Sequence, residues 1–289
     1  MRVAITGSHG FIGSALVAVL ERDGDEVVRV SRDASGKLDA DALYGADVVV
    51  HLAGEGVASK RWTPEQKRKV LESRTTGTTL VAETIARMER KPRALLSASA
   101  VGYYGSRGDE VLTEASSAGS DFLAEVCTRW EESTAAAESA GVRVAHLRTG
   151  IVVGKSGGAV AKTLPLFKLG LGGRLGSGRQ WWSWISLTDE IGAIRFLMDN
   201  DVAGAVNLTG PEPVTNAEFT KSVGRALHRP TFLPVPSFGP ALLLGREAAD
   251  AVINASQRAL PRVLLDAGYR FQHPTVDDAT RAELASSRQ

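Results

Sequence analysis

Met1-Arg-Val-Ala-Ile-Thr-Gly-Ser-His-Gly-Phe-Ile-Gly13 decides the fold. Val3 to Ile5 is a short apolar run that reads as a buried strand, and it breaks at Thr6-Gly7. A helical pattern follows from Phe11 and Ile12 through Leu16, Val19 and Leu20. The glycines fall at 7, 10 and 13, between strand and helix. That spacing suits a tight turn at Gly7, close backbone approach to a pyrophosphate at Gly10, and helix–strand packing at Gly13. The helix then turns its free N–H groups and positive dipole end toward the phosphates, with Ser8, Phe11 and Ile12 around them.

Working outward, Glu26-Val-Val-Arg-Val-Ser31 reads as the second strand. Its end carries the 2′ reading. An acid there accepts from a ribose hydroxyl, whereas a basic residue accommodates a 2′-phosphate. Ser31-Arg32 offers a hydroxyl and a guanidinium, so NADP(H) is favoured, with Asp33 as the competing detail. Ala46-Asp-Val-Val-Val-His-Leu-Ala-Gly54 is the next buried strand. Its small-residue turn, Leu52, Ala53 and Gly54, lets a cofactor pass close to backbone. His51 reads as a satisfied core histidine, and Lys67-Arg68-Lys69 as a solvated helix face. Arg74 is expected to open a helix carrying Leu80, Val81, Thr84 and Ile85 and to reach the cofactor.

Ala94 to Gly105 reads as a strand running into a turn rich in serine and tyrosine. Ligands in open α/β sheets sit outside the carboxyl ends of strands. Ser97, Ser99, Tyr103 and Tyr104 are therefore placed for cofactor contact or chemistry. Asp121 to Ala140 reads as one long helix and Val142 to Arg148 as the sixth strand. The strand–helix rhythm then stops. Gly176-Ser-Gly-Arg-Gln-Trp-Trp-Ser-Trp-Ile185 puts three tryptophans in four positions, which suggests a cleft wall or an interface. Ser186 to Asp189 caps a helix, Gly204 to Gly210 is a further strand, and the tail reads as mostly helical. Leu264, Leu265, Tyr269 and Phe271 read as packing residues.

The bulk numbers fit this outline. The chain has 289 residues, 43% hydrophobic and 23% charged, with a formal charge of +1. That is ordinary globular composition, with no electrostatic case for nucleic acid. No apolar run approaches the roughly 20 residues of a membrane span. Cys127 is the single cysteine, so no intrachain disulfide forms, and no metal site is expected. With the glycine turn at residue 7 there is no room before it for a signal peptide, and a cytoplasmic location is expected.

The order of these motifs resembles the extended short-chain dehydrogenase/reductase superfamily, its nucleotide-sugar epimerase and dehydratase group. The residues that carry this are Gly7, Gly10 and Gly13, then His51 to Gly54 after the fourth strand and Ser97 to Gly105 after the fifth. Arg148 to Gly154 and Trp184-Ile185 to Asp189 complete the order. Gly54-Glu55, Arg61-Trp62, Gly176-Ser-Gly-Arg-Gln180 and Gly268-Tyr-Arg-Phe-Gln-His-Pro274 narrow it to the epimerase-like family that includes the human short-chain dehydrogenase 39U member. The resemblance implies a doubly wound α/β parallel sheet (a dinucleotide-binding Rossmann domain, 1–154, completed by part of 180–210). A smaller, mostly helical lobe, 155–289, would supply the substrate side. It also implies a small-molecule substrate, with Arg148, Gln180, Trp184 and Asp189 in the cleft, and it admits a homodimer.

One departure limits what carries over. Working members of the superfamily use Tyr-x-x-x-Lys on the helix at 121 to 140. The lysine lowers the tyrosine pKa and holds the nicotinamide ribose, and the tyrosine moves the proton. Here the corresponding pair is Phe122/Val126 or Leu123/Cys127, and the serine position falls on Ala100 beside Ser99. Any chemistry falls to Tyr103, Tyr104, Ser97, Ser99 or Glu125. The alternative is a non-catalytic NADPH-binding sensor or interaction protein.

Overall fold

The computed structural model describes residues 1–31, 39–57, 60–232, 234–235 and 245–285. Twelve strands occur among them: β1 Arg2–Thr6, β2 Glu26–Val30, β3 Val48–His51, β4 Ala94–Ala100, β5 Val111–Leu112, β6 Arg143–Thr149, β7 Ile151–Val153, β8 Trp181–Trp182, β9 Trp184–Ser186, β10 Gly204–Leu208, β11 Val214–Thr215 and β12 Arg258–Ala259. Six form one parallel sheet in the order β10-β6-β4-β3-β1-β2. The order reverses beside β1, the switch point at which such sheets open a ligand crevice. The doubly wound sheet expected from the sequence is therefore present, and β10 completes it. The strand ending at His51 is the third in chain order and Ala94–Ala100 the fourth, one fewer than counted from the sequence. The described residues between β2 and β3 form only a short 3-10 turn, Ala40–Leu43.

The two faces of the sheet are covered by α1 Phe11–Arg22 and α6 Leu187–Asp199 on one side. On the other lie α2 Pro64–Arg87, α3 Phe122–Glu132 and α4 Ala135–Ser139. Alternate residues of the strands feed the two cores, as a period of two requires. Val3, Ile5, Val48, Val50 and Leu96 join Leu16, Leu20 and Ile194. Ala4, Val49, Leu95 and Val144 join Val81, Ile85 and Ala137. The remaining helices that matter here are α5 Gly158–Lys168 and α7 Asn216–Leu227, which pack with Trp184, Phe219 and Val276 in a third core.

Two expectations about elements are corrected. Arg74 does not open a helix. The Thr63 hydroxyl accepts from Gln66 N at 3.1 Å and Pro64 stands at the first position, so α2 begins ten residues earlier. The span 121–140 is two helices, because Ser133 and Thr134 bond back to the Arg129 and Glu131 carbonyls at 2.7 Å. The tail is mostly helical as expected, with the two-residue β12 paired to β5. Leu264 is buried and Tyr269 packs between Phe196 and Phe271, but Leu265 is exposed. No described helix is long and apolar enough to cross a membrane.

Candidate functional site

The crevice begins at the N-terminal turn. Gly7 has φ +70°, and a Cβ on it would lie 2.8 Å from the Leu52 carbonyl carbon. A Cβ on Gly13 would lie 2.2 Å from the Gly7 oxygen. Only glycine permits either approach. Helix α1 starts at Gly10 with no side-chain cap and no acid in its first turn. Its first N–H donors and positive end are thus left for an anion. The Phe11 ring fills the space against Gly154, Gly157 and Gly158, and Ile12 packs into the core below. Ser8 is buried beside His9, with Oγ 3.4 Å from Nδ1.

Across the switch point, Leu52 N donates to the Thr6 carbonyl at 3.2 Å and Ala53 N to Thr6 Oγ1 at 3.4 Å. Gly54 is exposed above Arg74, whose Cζ would sit 3.4 Å from a Cβ at Gly54. Burial pulls the Arg74 guanidinium below its ordinary value, with Cys127 and Glu55 opposing. His51 is a core histidine as expected, bonded to Thr6 Oγ1 at 2.7 Å and Thr78 Oγ1 at 2.9 Å. Ser31 is exposed at the end of β2, and Arg32 lies outside the described residues.

The chemistry expected after β4 is rearranged. Ser99, Tyr103, Tyr104 and Arg148 do come together, but as a closed network. Arg148 holds Glu131 at two points, 2.8 Å each, and donates to the Tyr104 hydroxyl at 3.1 Å. The Tyr104 hydroxyl donates to Asn207 Oδ1 at 2.7 Å, and Ser99 Oγ to Glu131 Oε1 at 2.6 Å. Tyr103 lies under the guanidinium, its ring centroid 3.4 Å from Cζ. Tyr104 is 0% exposed, and burial raises its hydroxyl above the ordinary phenol value despite Arg148. Glu131 already satisfies the cation, so Tyr104 is not primed to release a proton. Tyr104 and Ser99, the groups expected for catalysis, are thus held inside this network.

The other residues expected at the cleft are placed as follows. Ser97 Oγ is fully enclosed on the α2 side of β4, with no partner among the described residues. Arg148 is occupied by Glu131. Trp184 is 0% exposed, its Nε1 donating to Glu212 O at 2.8 Å and its ring over Gly210. Asp189 is buried and accepts from Gln272 N at 2.8 Å and His273 N at 2.9 Å, clasping the C-terminal segment. Glu125 is exposed and paired with Arg129 at 3.0 Å. Gln180 remains half-buried, donating weakly to the Leu175 and Ile253 carbonyls at 3.3 and 3.4 Å. Trp181 and Trp182 are partly exposed.

The register left open on α3 is resolved. Leu123 and Cys127 face the turn after β4, within 3.5 and 3.7 Å of a Cβ built on Gly102, while Phe122 meets Trp62 edge-on. Burial pushes the Cys127 thiol up to about 12, so it is inert packing. Two acids escaped the sequence reading. Glu131 stands four residues after Cys127, on the same helical face, and that spacing was the available signal. Glu190 is fully buried against Thr149, with Oε1 accepting at 2.9 Å and Oε2 unpartnered. Burial pushes it up to about 8. It hides behind the capping Asp189 and gives no pattern. No cluster of three metal-ligating side chains exists among the described residues.

With this geometry in place, the relatives are informative. The NAD dependent epimerase/dehydratase family matches residues 3–209, and a domain of unknown function matches residues 235–283. The epimerase family protein Mb2239 of Mycobacterium bovis is 44% identical, over 96% of this chain and 95% of that protein. The crystal structure of human epimerase family protein SDR39U1, isoform 2, with NADPH superposes at a TM-score of 0.91 with 33% identity, over 98% of this chain and 99% of that one. A nucleoside-diphosphate sugar epimerase structure from Corynebacterium glutamicum gives 0.79 and 37%, over 99% of this chain and 58% of that longer one. The turn at Gly7, the parallel sheet and the matched span agree, and the chain belongs to the NAD dependent epimerase/dehydratase family.

Proposed function

We propose that the chain binds NADP(H) across the switch point and presents it to a small carbonyl or nucleotide-sugar-like substrate, without a Tyr-x-x-x-Lys pair. Residues 1–154 carry the cofactor and 155–289 supply most of the substrate side. The observation that carries this is the uncapped α1 N-terminus packed on Gly7 and Gly13. The backbone there is too close for any side chain and leaves its donors free for a pyrophosphate. Gly7, Gly10, Gly13 and the neighbouring amides of Phe11 and Ile12 hold the phosphates, and the backbone of Leu52 to Gly54 lines the path beyond. Ser31-Arg32 reads the 2′-phosphate, and the NADPH in the human relative supports that choice. The bound nicotinamide supplies hydride chemistry. This chain's own part is to bind, orient and exclude water.

A second reading is favoured by a specific observation. The side chains facing Gly102 are Leu123 and Cys127, and Tyr104 is sealed in its network. Under that reading the protein senses NADPH and turns nothing over. Calorimetry with NADPH and NADH on wild type and Arg32→Ala tests the cofactor. NADPH affinity should fall by on the order of 1.5–3 kcal/mol in the variant, with NADH nearly unaffected. Equal losses would remove Arg32 from the 2′ position. Reduced-nicotinamide absorbance against nucleoside-diphosphate sugars and simple carbonyls then separates enzyme from sensor.

A further inference from the structure

Two arginines are buried near the crevice, and only one has a counter-ion. Arg148 is neutralised by Glu131. Arg74 is 9% exposed, and among the described residues no carboxylate stands within ion-pair reach of it, Glu55 acting only at longer range. Its Nη1 donates to the Val70 carbonyl at 3.1 Å and its Cζ lies 4.8 Å from the Trp130 ring centroid. These two contacts fix the guanidinium plane, and Nε and Nη2 have no hydrogen-bond partner among the described residues. A largely buried cation in that state is unfavourable until solvent or a ligand completes it.

Its position says which part of a ligand. Arg74 lies under Gly54, past the end of β3, and β3 is flanked by β1 and β4. On one side is the Gly7 turn, and on the other Cys127, which faces Gly102 after β4. The absent side chain of Gly54 leaves the guanidinium open to the crevice. Arg74 thus stands between the Gly7 turn and the α3 face that carries Leu123 and Cys127.

We propose that Arg74 donates through Nε and Nη2 to the hydroxyls of the ribose joining pyrophosphate to nicotinamide, supplying from α2 the cation that α3 lacks where Cys127 stands. This rests on the NADP(H) reading.

The test is calorimetry on the full chain with NADPH and with 2′,5′-ADP, which lacks that ribose, together with the melting temperature of the ligand-free protein. Arg74→Met keeps the stem over Trp130 and removes the charge. It should weaken NADPH about 10- to 100-fold. Binding of 2′,5′-ADP should be unchanged and the ligand-free melting temperature should not fall. Arg74→Lys should recover part of the NADPH affinity. Equal loss for both compounds, or unchanged NADPH binding with a lower melting temperature, overturns the assignment and leaves the cofactor reading standing. Wild type binding neither compound overturns both.

Discussion

Arg148 and Glu131 form a two-point ion pair, Nε to Oε1 and Nη2 to Oε2 at 2.8 Å, with side chains only 5% and 11% exposed. The pair ties β6 to α3 and orders Tyr104, Tyr103 and Ser99 around it. Removing one partner of such a pair leaves an uncompensated buried charge. Glu131→Ala should therefore cost about 3–5 kcal/mol, read by urea denaturation. Tyr104→Phe should cost about 1–3 kcal/mol, since Asn207 Oδ1 loses its donor, and should leave NADPH affinity unchanged. A Tyr104→Phe protein of wild-type stability that had lost a measured turnover would return Tyr104 to the chemistry.

Glu190 gives a pH dependence of defined sign. Its ordinary value is 4.5, and burial pushes it to about 8 in the fold. Below pH 4.5 both folded and unfolded chains hold the proton, and there is no effect. From 4.5 to 8 only the folded chain holds it, so stability falls as pH rises. Above 8 the loss is complete. Glu190→Gln keeps an acceptor for Thr149 and cannot ionise. It should match wild type near pH 4.5 and exceed it at pH 8.5 by on the order of a few kcal/mol, in paired thermal melts. Parallel curves for the two proteins from pH 4.5 to 8.5 would refute the assignment.

Asp189 clasps the tail. It accepts from the Tyr269 hydroxyl at 3.1 Å and from the Gln272 and His273 amides. Asp189→Ala strands the two amides, while the Tyr269 hydroxyl keeps the carbonyl of residue 189 at 3.1 Å, and should cost about 3–5 kcal/mol. Hydrogen exchange should show the Gln272 and His273 amides opening ahead of β1. Protection unchanged at those amides would mean the clasp holds nothing.

What the sequence made legible follows a physical division. Val3 to Ile5, Gly7, Gly13 and Thr63-Pro64 act through local backbone rules, and the first three sufficed for the fold and the cofactor end. The switch point could be read because parallel strands are apolar throughout and end in small residues at Thr6-Gly7 and Ala53-Gly54. The surroundings of the candidate catalytic groups were not legible, because burial and distant partners decide them. Tyr104, Ser99 and Arg148 carry reactive groups, but Glu131 and Asn207 come from distant stretches and consume them. Trp184 and Asp189 went the same way, toward Glu212 and the tail. The absence of Tyr-x-x-x-Lys could be read at once, whereas the counter-ion missing from Arg74 is visible only in three dimensions.

Two glycines separate cradle from turn. At Gly13 a Cβ would sit 2.2 Å from the Gly7 oxygen, so α1 must shift away from the turn. Gly13→Ala should cost about 1–3 kcal/mol or more by overpacking. It should also lose NADPH binding, because the α1 donors move with the helix. Gly24 closes the same helix with φ +84° and nothing within 4 Å of a built Cβ. Gly24→Ala pays only the left-handed backbone penalty, about 1–2 kcal/mol, and should bind NADPH as wild type does. Calorimetry and melting curves on the two variants give a direct contrast: similar losses of stability, with affinity lost only in Gly13→Ala. If Gly13→Ala retained full NADPH affinity, the pyrophosphate would not lie on this helix end, and the crevice would need another occupant.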